Sequence, residues 1–524
     1  MPIRQGDKMK LTSYVNGAWV EGDDEGEALI DPVTGEELAR ASTAGIDIGA
    51  AMAYGRDTGG PALRAMTYAE RAKLLGAIAE TLTANRDAYG EIALANSGNT
   101  KADAAIDIDG GIGTLQFLAR QGERLGDAMS LRDGRLDRLS REETFQALHL
   151  SVPIRGIAVH INAFNFPSWG LWEKAAVALL AGVPVFAKPA TATAMLSQRM
   201  VKDVIEAGIL PDGALSLVCG SARAISDNVT GRDAIAFTGS AETANTLRTH
   251  GNVAASSVRL NIEADSLNAS ILGPDASPGS AEFDLYVREV AKEMTQKAGQ
   301  KCTAIRRALV PAGVFGEVTE ALEARLSGVK TGNPRNEDVT MGPLVNMGQQ
   351  TAVLDALDKL KAEAKTVTGD GDFSPIDADP QTSCFVAPTL LSCADPKSAK
   401  AVHEVEAFGP VCTLMPYDGP KDAFQLAARG SGSLAASVFT ADPDFAVDAV
   451  TGIGADHGRV LVVDESVGRG QTGHGIVMPQ CVHGGPGRAG GGEELGGLRA
   501  LRFYHQRLAV QGRVDWLERL AERA

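Results

Sequence analysis

The chain has 524 residues, with 50 Lys and Arg against 66 Asp and Glu, for a formal charge of −16. At roughly 100–200 residues per domain this is enough for several folding units. The 44% hydrophobic and 22% charged fractions exclude a disordered, collagenous or coiled-coil chain, and the acid excess argues against non-specific nucleic-acid binding.

The polar start, MPIRQGDKMK, lacks the apolar core of a secretory signal. The most apolar stretch, Ala175 to Ala187, has 13 residues between Lys174 and Lys188, short of the about 20 that span a bilayer. Six cysteines without a CxxC pair suit a reducing compartment. His403, His474 and His483 show no spacing, to one another or to acids, that suggests a metal centre. A cytoplasmic protein with no membrane contact and no metal is expected.

In chain order, short strand-like pieces (Ser13 to Trp19, Asp31 to Gly35) precede Ala-rich helical patterns from Tyr68 to Arg120. Leu131 to Arg141 reads as an extended hairpin. From Val152 strands and helices alternate. The strands are Gly156–Ile161, Val183–Ala187, Leu215–Cys219 and Ala234–Thr238, with helices at Trp169–Leu180 and Ala194–Ala207. Successive units of this size predict a parallel sheet covered on both faces, with ligands beyond the strand C-termini. A second α/β stretch, Leu267 to Gly468, holds a helix around Phe283–Lys297 and a strand at Arg307–Pro311. The Gly-dense run His483–Gly497 reads as a tight ordered loop leading into a strand-like Leu498–Val510.

Chemistry-bearing residues cluster at the predicted strand ends. Cys302, in Gly299-Gln-Lys-Cys-Thr303, lies beside Lys301, whose charge would favour the nucleophilic thiolate. Asn165 follows the Gly156–Ile161 strand, and its amide could donate to an oxyanion. Phe237-Thr-Gly-Ser240 opens a helix, where N–H groups favour a phosphate. Glu263 stands in an otherwise small or apolar strand, where burial would suit a general base. Glu406 precedes a Phe-Gly-Pro turn and could accept from a sugar diol. Each has a plainer reading: a buried thiol, a turn Asn before Pro167, an ordinary helix start, a solvated strand end, a loop acid. His160 reads as a satisfied core residue.

Taken together, Asn165-Phe-Pro167, Lys188-Pro-Ala190, Phe237-Thr-Gly-Ser240, Gly299-Gln-Lys-Cys-Thr303 and Glu406-Ala-Phe-Gly-Pro410 resemble, in order and spacing, the aldehyde dehydrogenase superfamily. The resemblance runs from Tyr14 to Gly497. It implies an α/β aldehyde dehydrogenase fold with a Rossmann-like cofactor domain (residues 1–130 and 151–266), an α/β catalytic domain (267–482), and a small β oligomerisation arm with tail (131–150 and 483–524). A homodimer joined through the arm follows. The resemblance makes Cys302 the nucleophile that forms a thiohemiacetal and then a thioester, Asn165 the oxyanion donor, and Glu263 the base that activates water. Aligned without a gap from Ser266 and Asn268, the usual base position falls on Asn261. Asn cannot take a proton from water, so the role goes to Glu263 through a local shift in backbone path.

The same resemblance places Ala163, Phe164, Lys188, Thr191, Gly220, Thr238, Gly239, Ser240, Glu406 and Phe408 along a nicotinamide cofactor. NAD-preferring members commonly carry Glu three residues after the Lys. Here that residue is Thr191, which spares a ribose phosphate from like-charge repulsion and can donate to it, so NADP is expected. Glu263-Ala-Asp-Ser-Leu267 and His483-Gly-Gly-Pro-Gly-Arg-Ala-Gly-Gly-Gly492 further resemble a branch that oxidises CoA-linked semialdehydes in aromatic (benzoate) catabolism. A small aldehyde carrying CoA is the implied substrate. A CoA-acylating dehydrogenase, in which free CoA resolves the thioester, and a general medium- or long-chain aldehyde dehydrogenase are the alternatives.

Overall fold

Parallel strands that are covered on both faces must be largely apolar; four segments between 158 and 238 meet that demand, and a fifth, Arg259–Glu263, alternates apolar with polar residues. The computed structural model describes residues 9–221, 223–371 and 373–524; most of the polar start, residues 1–8, lies outside them. In the first large sheet the order is Arg259–Glu263, Ala234–Thr238, Ala158–Ile161, Val185–Lys188, Leu215–Leu217, then Ser13–Val15 and Ala18–Val20. The first five are parallel, and the last two add antiparallel. By sequence the five run 5-4-1-2-3, the order of a Rossmann half, reversing between Ala158–Ile161 and Ala234–Thr238.

Alternation along each strand sends side chains to two cores. Ala158, Val185, Ala187 and Leu215 meet helices Tyr68–Ala84, Lys101–Glu123, Trp169–Ala181 and Ala194–Glu206 on one face. Val159, Phe186, Ile235 and Phe237 meet Ile48–Tyr54 and Ala241–Thr249 on the other. The second large sheet repeats this design. Its order is Lys365–Thr368, Thr389–Ser392, Val411–Tyr417, Arg307–Pro311, Ala269–Leu272, Ser433–Phe439 and His457–Val463, all parallel except the first strand.

The segment read as a hairpin from Leu131 forms a strand over Leu131–Arg138. It pairs antiparallel with Phe145–Pro153, and His505–Arg513 adds on the far side of that strand. The strand-like reading of Leu498 onward holds only from His505, because Gly497–Tyr504 is a 3₁₀ helix that buries Leu501 and Tyr504. The run His483–Gly497 is ordered. Val482–Gly484 and Glu493–Leu495 pair as a short hairpin around a 3₁₀ turn at Gly487–Ala489. Its glycines allow contact with strand backbone: a Cβ on Gly490 would lie 2.2 Å from the Ile262 carbonyl oxygen. The N–H of Gly492 donates to that carbonyl at 3.0 Å, and Ala264 N–H donates to the Ala489 carbonyl at 3.0 Å. No helix among the described residues is long and apolar enough to cross a membrane.

Candidate active site

The strand-order reversal leaves a crevice beyond Ile161 and Thr238, where Asn162–Asn165 and Gly239–Ser240 leave the sheet. Thr238 lies opposite Glu263 on the adjoining strand, and that strand keeps unbroken register from Arg259 to Glu263. From the other sheet comes the Cys302 loop. Helix Ala281–Thr295 ends in a 3₁₀ turn in which Lys297 (φ 54°), Ala298 (φ 51°) and Gly299 (φ 67°) are left-handed in succession. Non-glycine residues in that region each cost on the order of 1 kcal/mol and persist only when surroundings over-determine them. Here the Lys297 N–H donates to Asp103 at 3.0 Å, and the buried Arg306 guanidinium donates to the carbonyls of Gly299 (2.8 Å), Lys301 (3.2 Å) and Gly409 (2.8 Å). Asn268 Nδ2 donates to the Cys302 carbonyl at 2.8 Å. The nucleophile candidate is thus clamped by its backbone.

Asn165, Glu263, Cys302 and His483 line one cleft, with Ala163 and Thr238 at the strand ends and Phe166, Trp169, Gly170 and Val477 among its other lining residues. Asn165 and Glu263 are buried, and Cys302 is half-buried. A Cβ on Gly170 would meet nothing within 4 Å, so the wall is open there.

The charge on this cleft differs from the sequence expectation. The Lys301 charge is already paired: its ammonium is fully buried, 2.7 Å from Glu293 and 2.7 Å from Gln296 Oε1. The Cys302 thiol is pushed well above its ordinary range, first by burial and then by the charge and hydrogen bonding of Glu263, with Glu173 and Glu406 adding. Burial would raise Glu263 as well. The charge and hydrogen bond of His483, the charge of Lys174 and a hydrogen bond from Cys302 outweigh it and hold that carboxyl down at about 2.

His483 is the residue that sequence reasoning missed. Its Nε2 lies 3.2 Å from Glu263 Oε2, and both side chains are buried. Glu263, Cys302 and His483 bring three ligand-type atoms within 4.8 Å of one another. The imidazole rides on the hairpin that the glycine run builds, and Asn261, two residues before Glu263, ties that hairpin down. Asn261 Nδ2 donates to Glu494 Oε1 at 3.0 Å, and its Oδ1 accepts from Glu493 N–H at 2.7 Å. Glu494 in turn lies 3.1 Å from the buried Lys174 ammonium. The signal for His483 was its place at the head of a motif already singled out; its 220-residue separation from Glu263 concealed the contact.

The residues expected along a cofactor fall at the strand ends. Lys188 closes its strand, with its charge disfavoured by burial and supported by Glu27 and Cys219. Thr191 opens the 3₁₀ turn that follows. Gly220 adopts φ 123°, and a Cβ there would press on the Ser42 backbone at 3.2 Å. Thr238 Oγ1 is buried with no hydrogen-bond partner in the structure. Phe164 and Phe408 meet edge to face with centroids 5.8 Å apart. Glu406 accepts from Ser266 N–H at 3.0 Å and lies 3.7 Å from Arg306; burial and then Asp265 raise it, against Arg306, to about 7. The turn at Gly239–Ser240 is less open to a phosphate than its sequence implied. Gly239 N–H donates to the Glu263 carbonyl, Ala241 N–H to Asp265, and Thr243 N–H to Ser240 Oγ. A diphosphate must share or displace these bonds.

The chain is 57% identical over 479 residues to 3,4-dehydroadipyl-CoA semialdehyde dehydrogenase of Aromatoleum evansii, covering 91% of this chain and 93% of that one. It is 29% identical to a non-phosphorylating aspartate-semialdehyde dehydrogenase of Halomonas elongata, over 82% and 83% of the two chains. Betaine aldehyde dehydrogenase of Staphylococcus aureus, solved in complex with NAD+, superposes with a TM-score of 0.84 at 24% identity, over 96% of this chain and 95% of that one. The model of the aldehyde dehydrogenase family matches residues 19–509, a span that takes in the second large sheet, the five parallel strands of the first and every residue of the cleft. The chain belongs to the aldehyde dehydrogenase family.

Proposed function

We propose that the protein oxidises 3,4-dehydroadipyl-CoA semialdehyde to the corresponding carboxylic acid with NADP, in the breakdown of aromatic acids such as benzoate. The observation that carries this reading is the meeting of Asn165, Glu263 and Cys302 in one cleft at the strand-order reversal, in a chain 57% identical to an enzyme named for that substrate.

The Cys302 sulfur adds to the aldehyde carbon as the thiol gives its proton to solvent, and the new oxyanion accepts a hydrogen bond from the Asn165 amide. A nicotinamide dinucleotide, when bound, supplies the hydride acceptor. Lys188 and Glu406 would hold its two riboses, and Phe164 and Phe408 would form the aromatic wall. The unpartnered Thr238 hydroxyl and the half-buried Lys188 cation fit such a polar, anionic guest. Thr191 adds no negative charge where NADP carries its extra phosphate. Release from Cys302 is hydrolysis: water attacks the thioester carbon, its proton passes to Glu263, the C–S bond breaks, and Cys302 departs as thiolate. The carboxylate at Glu263 favours water over free CoA as the acceptor, which separates this reading from a CoA-acylating enzyme.

Exposed apolar side chains on the three-stranded arm and the helix after it, Phe145, Leu508 and Trp516 among them, support a homodimer joined there.

The test is formation of reduced nicotinamide from 3,4-dehydroadipyl-CoA semialdehyde, with NADP and NAD in parallel and Cys302→Ala as control. Turnover that needs Cys302, favours NADP and proceeds without free CoA is the expected result. Turnover only with free CoA would replace hydrolysis by CoA acylation, and none under either condition would remove the substrate assignment.

A further inference from the structure

Glu263 has two carboxylate oxygens in different situations. Oε2 is 3.2 Å from His483 Nε2. Oε1 is buried and, the Cys302 thiol apart, has no hydrogen-bond partner in the structure, and it belongs to a group that lines the cleft with Cys302 and His483. A carboxylate at the end of a strand keeps rotational freedom about its side chain unless something fixes one oxygen. His483 can do this because its own backbone is fixed. It pairs with Glu494 across the hairpin, that hairpin is tied to Asn261, and Gly492 is bonded to the Ile262 carbonyl, one residue from Glu263.

We propose that His483 is a positioning residue for hydrolysis: it anchors Oε2 of Glu263 and so presents Oε1 to the water that releases the acyl group from Cys302. The inference rests on the reading of Glu263 as the base. When water attacks, its proton goes to Oε1, the thioester C–S bond breaks, and Cys302 leaves as thiolate. The imidazole stays on Oε2 throughout and takes no proton in this step; it lines the same cleft, within 4.8 Å of Cys302. The pair faces charge from several elements: Lys174 and Glu173 on helix Trp169–Ala181, Glu494 on the hairpin, and the Cys302 thiol. Removing His483 leaves Glu263 held only by the Lys174 charge and the Cys302 hydrogen bond against burial, so the carboxylate protonates at higher pH.

The experiment uses p-nitrophenyl acetate, which acylates a reactive thiol without aldehyde or cofactor. The nitrophenolate burst reports acylation of Cys302, and the steady rate that follows reports hydrolysis. His483→Ala and His483→Gln are compared with the parent, Glu263→Gln and Cys302→Ala, with a thermal melt for each. In His483→Ala the burst is expected to persist while the steady rate falls about tenfold or more and its acid limb moves to higher pH. His483→Gln, which retains an N–H donor, recovers part of the rate without restoring the acid limb. A steady rate and acid limb unchanged in His483→Ala would overturn the inference. So would equal losses of burst and steady rate in both His483 variants with the melt preserved. If Glu263→Gln hydrolyses as fast as the parent, the base assignment itself fails; a burst surviving in Cys302→Ala removes the nucleophile. A slow Glu263→Gln beside normal His483 variants fails the anchor alone.

Discussion

Asn261 and Glu494 are joined side chain to side chain, with Asn261 Nδ2 3.0 Å from Glu494 Oε1, so the residue that a gap-free reading sets at the base position holds the hairpin that carries His483. Its second bond, from Glu493 N–H to Oδ1 at 2.7 Å, fixes the same hairpin through its backbone. Asn261→Ala removes both bonds at a buried site and is expected to cost about 1–3 kcal/mol, read from the denaturant midpoint, with slower release of acyl-Cys302. Asn261→Glu sets a second carboxylate against Glu494. It is not expected to restore hydrolysis to Glu263→Gln, and restoration would return the base role to position 261.

Thr191 bears on cofactor choice. Placing a carboxylate at the start of the 3₁₀ turn after Lys188 repels a ribose phosphate and offers an acceptor to a free ribose diol. Thr191→Glu is therefore expected to lower kcat/KM for NADP by about tenfold or more, since each decade is only about 1.4 kcal/mol, while NAD is spared or improved. Parallel titrations of the two cofactors measure it. An unchanged ratio would mean that the adenosine end is read elsewhere, with Glu27, whose charge already supports Lys188, the first residue to examine.

The alternating strands, the helices over them and the positions of Asn165, Glu263 and Cys302 were legible because each sits in a local pattern of apolar run, turn and chemical residue. What the sequence hid was direction. Lys301, adjacent to Cys302, was read as its activator, yet the left-handed turn at Lys297–Gly299 sends the Lys301 side chain into a buried pocket with Glu293. Neighbours in sequence need not face the same way, and only tertiary contact decides. His483 was hidden for the opposite reason, since its partner is 220 positions away. The break between Tyr504 and His505 was lost because a short amphipathic 3₁₀ helix and a half-exposed strand share a similar apolar spacing.

The Lys301–Glu293 pair has its own test. Both side chains are fully buried, so Lys301→Met strands a carboxylate and is expected to destabilise the fold by about 3–5 kcal/mol. Lys301→Met with Glu293→Leu removes both charges and recovers most of that loss. Because the double variant removes a neutralised pair and no net charge, the alkylation rate of Cys302 in it should match the parent at each pH. A marked fall would reinstate Lys301 as an activator.

On the arm, Leu508 and Trp516 are 38% and 60% exposed in the single chain, above the small core of Leu148, Leu150 and Leu517. If these side chains are covered by a second subunit, Leu508→Asp and Trp516→Asp bury an unpaired charge at that contact. Light scattering is expected to show a dimer for the parent and monomer for the double variant. A variant that keeps the parent's mass would move the interface off this surface.

The pH dependence of Cys302 separates two uses of Glu263. Burial and then the Glu263 charge both raise the thiol, so in cofactor-free protein alkylation by iodoacetamide should be slow at neutral pH and climb into the alkaline range, because the thiolate is the reacting species. Glu263 is ionised across that range, having been held at about 2 by His483 and Lys174 against burial. Replacing it by Gln removes a negative charge beside the sulfur. The thiol then loses its proton at lower pH, the thiolate fraction at a fixed neutral pH rises, and alkylation of Glu263→Gln is faster than that of the parent. Hydrolysis of the acyl-enzyme moves the other way, slowing by about 100-fold or more for loss of a general base. A Glu263→Gln variant that alkylates more slowly would mean that the carboxylate draws the proton from the thiol as well as from water.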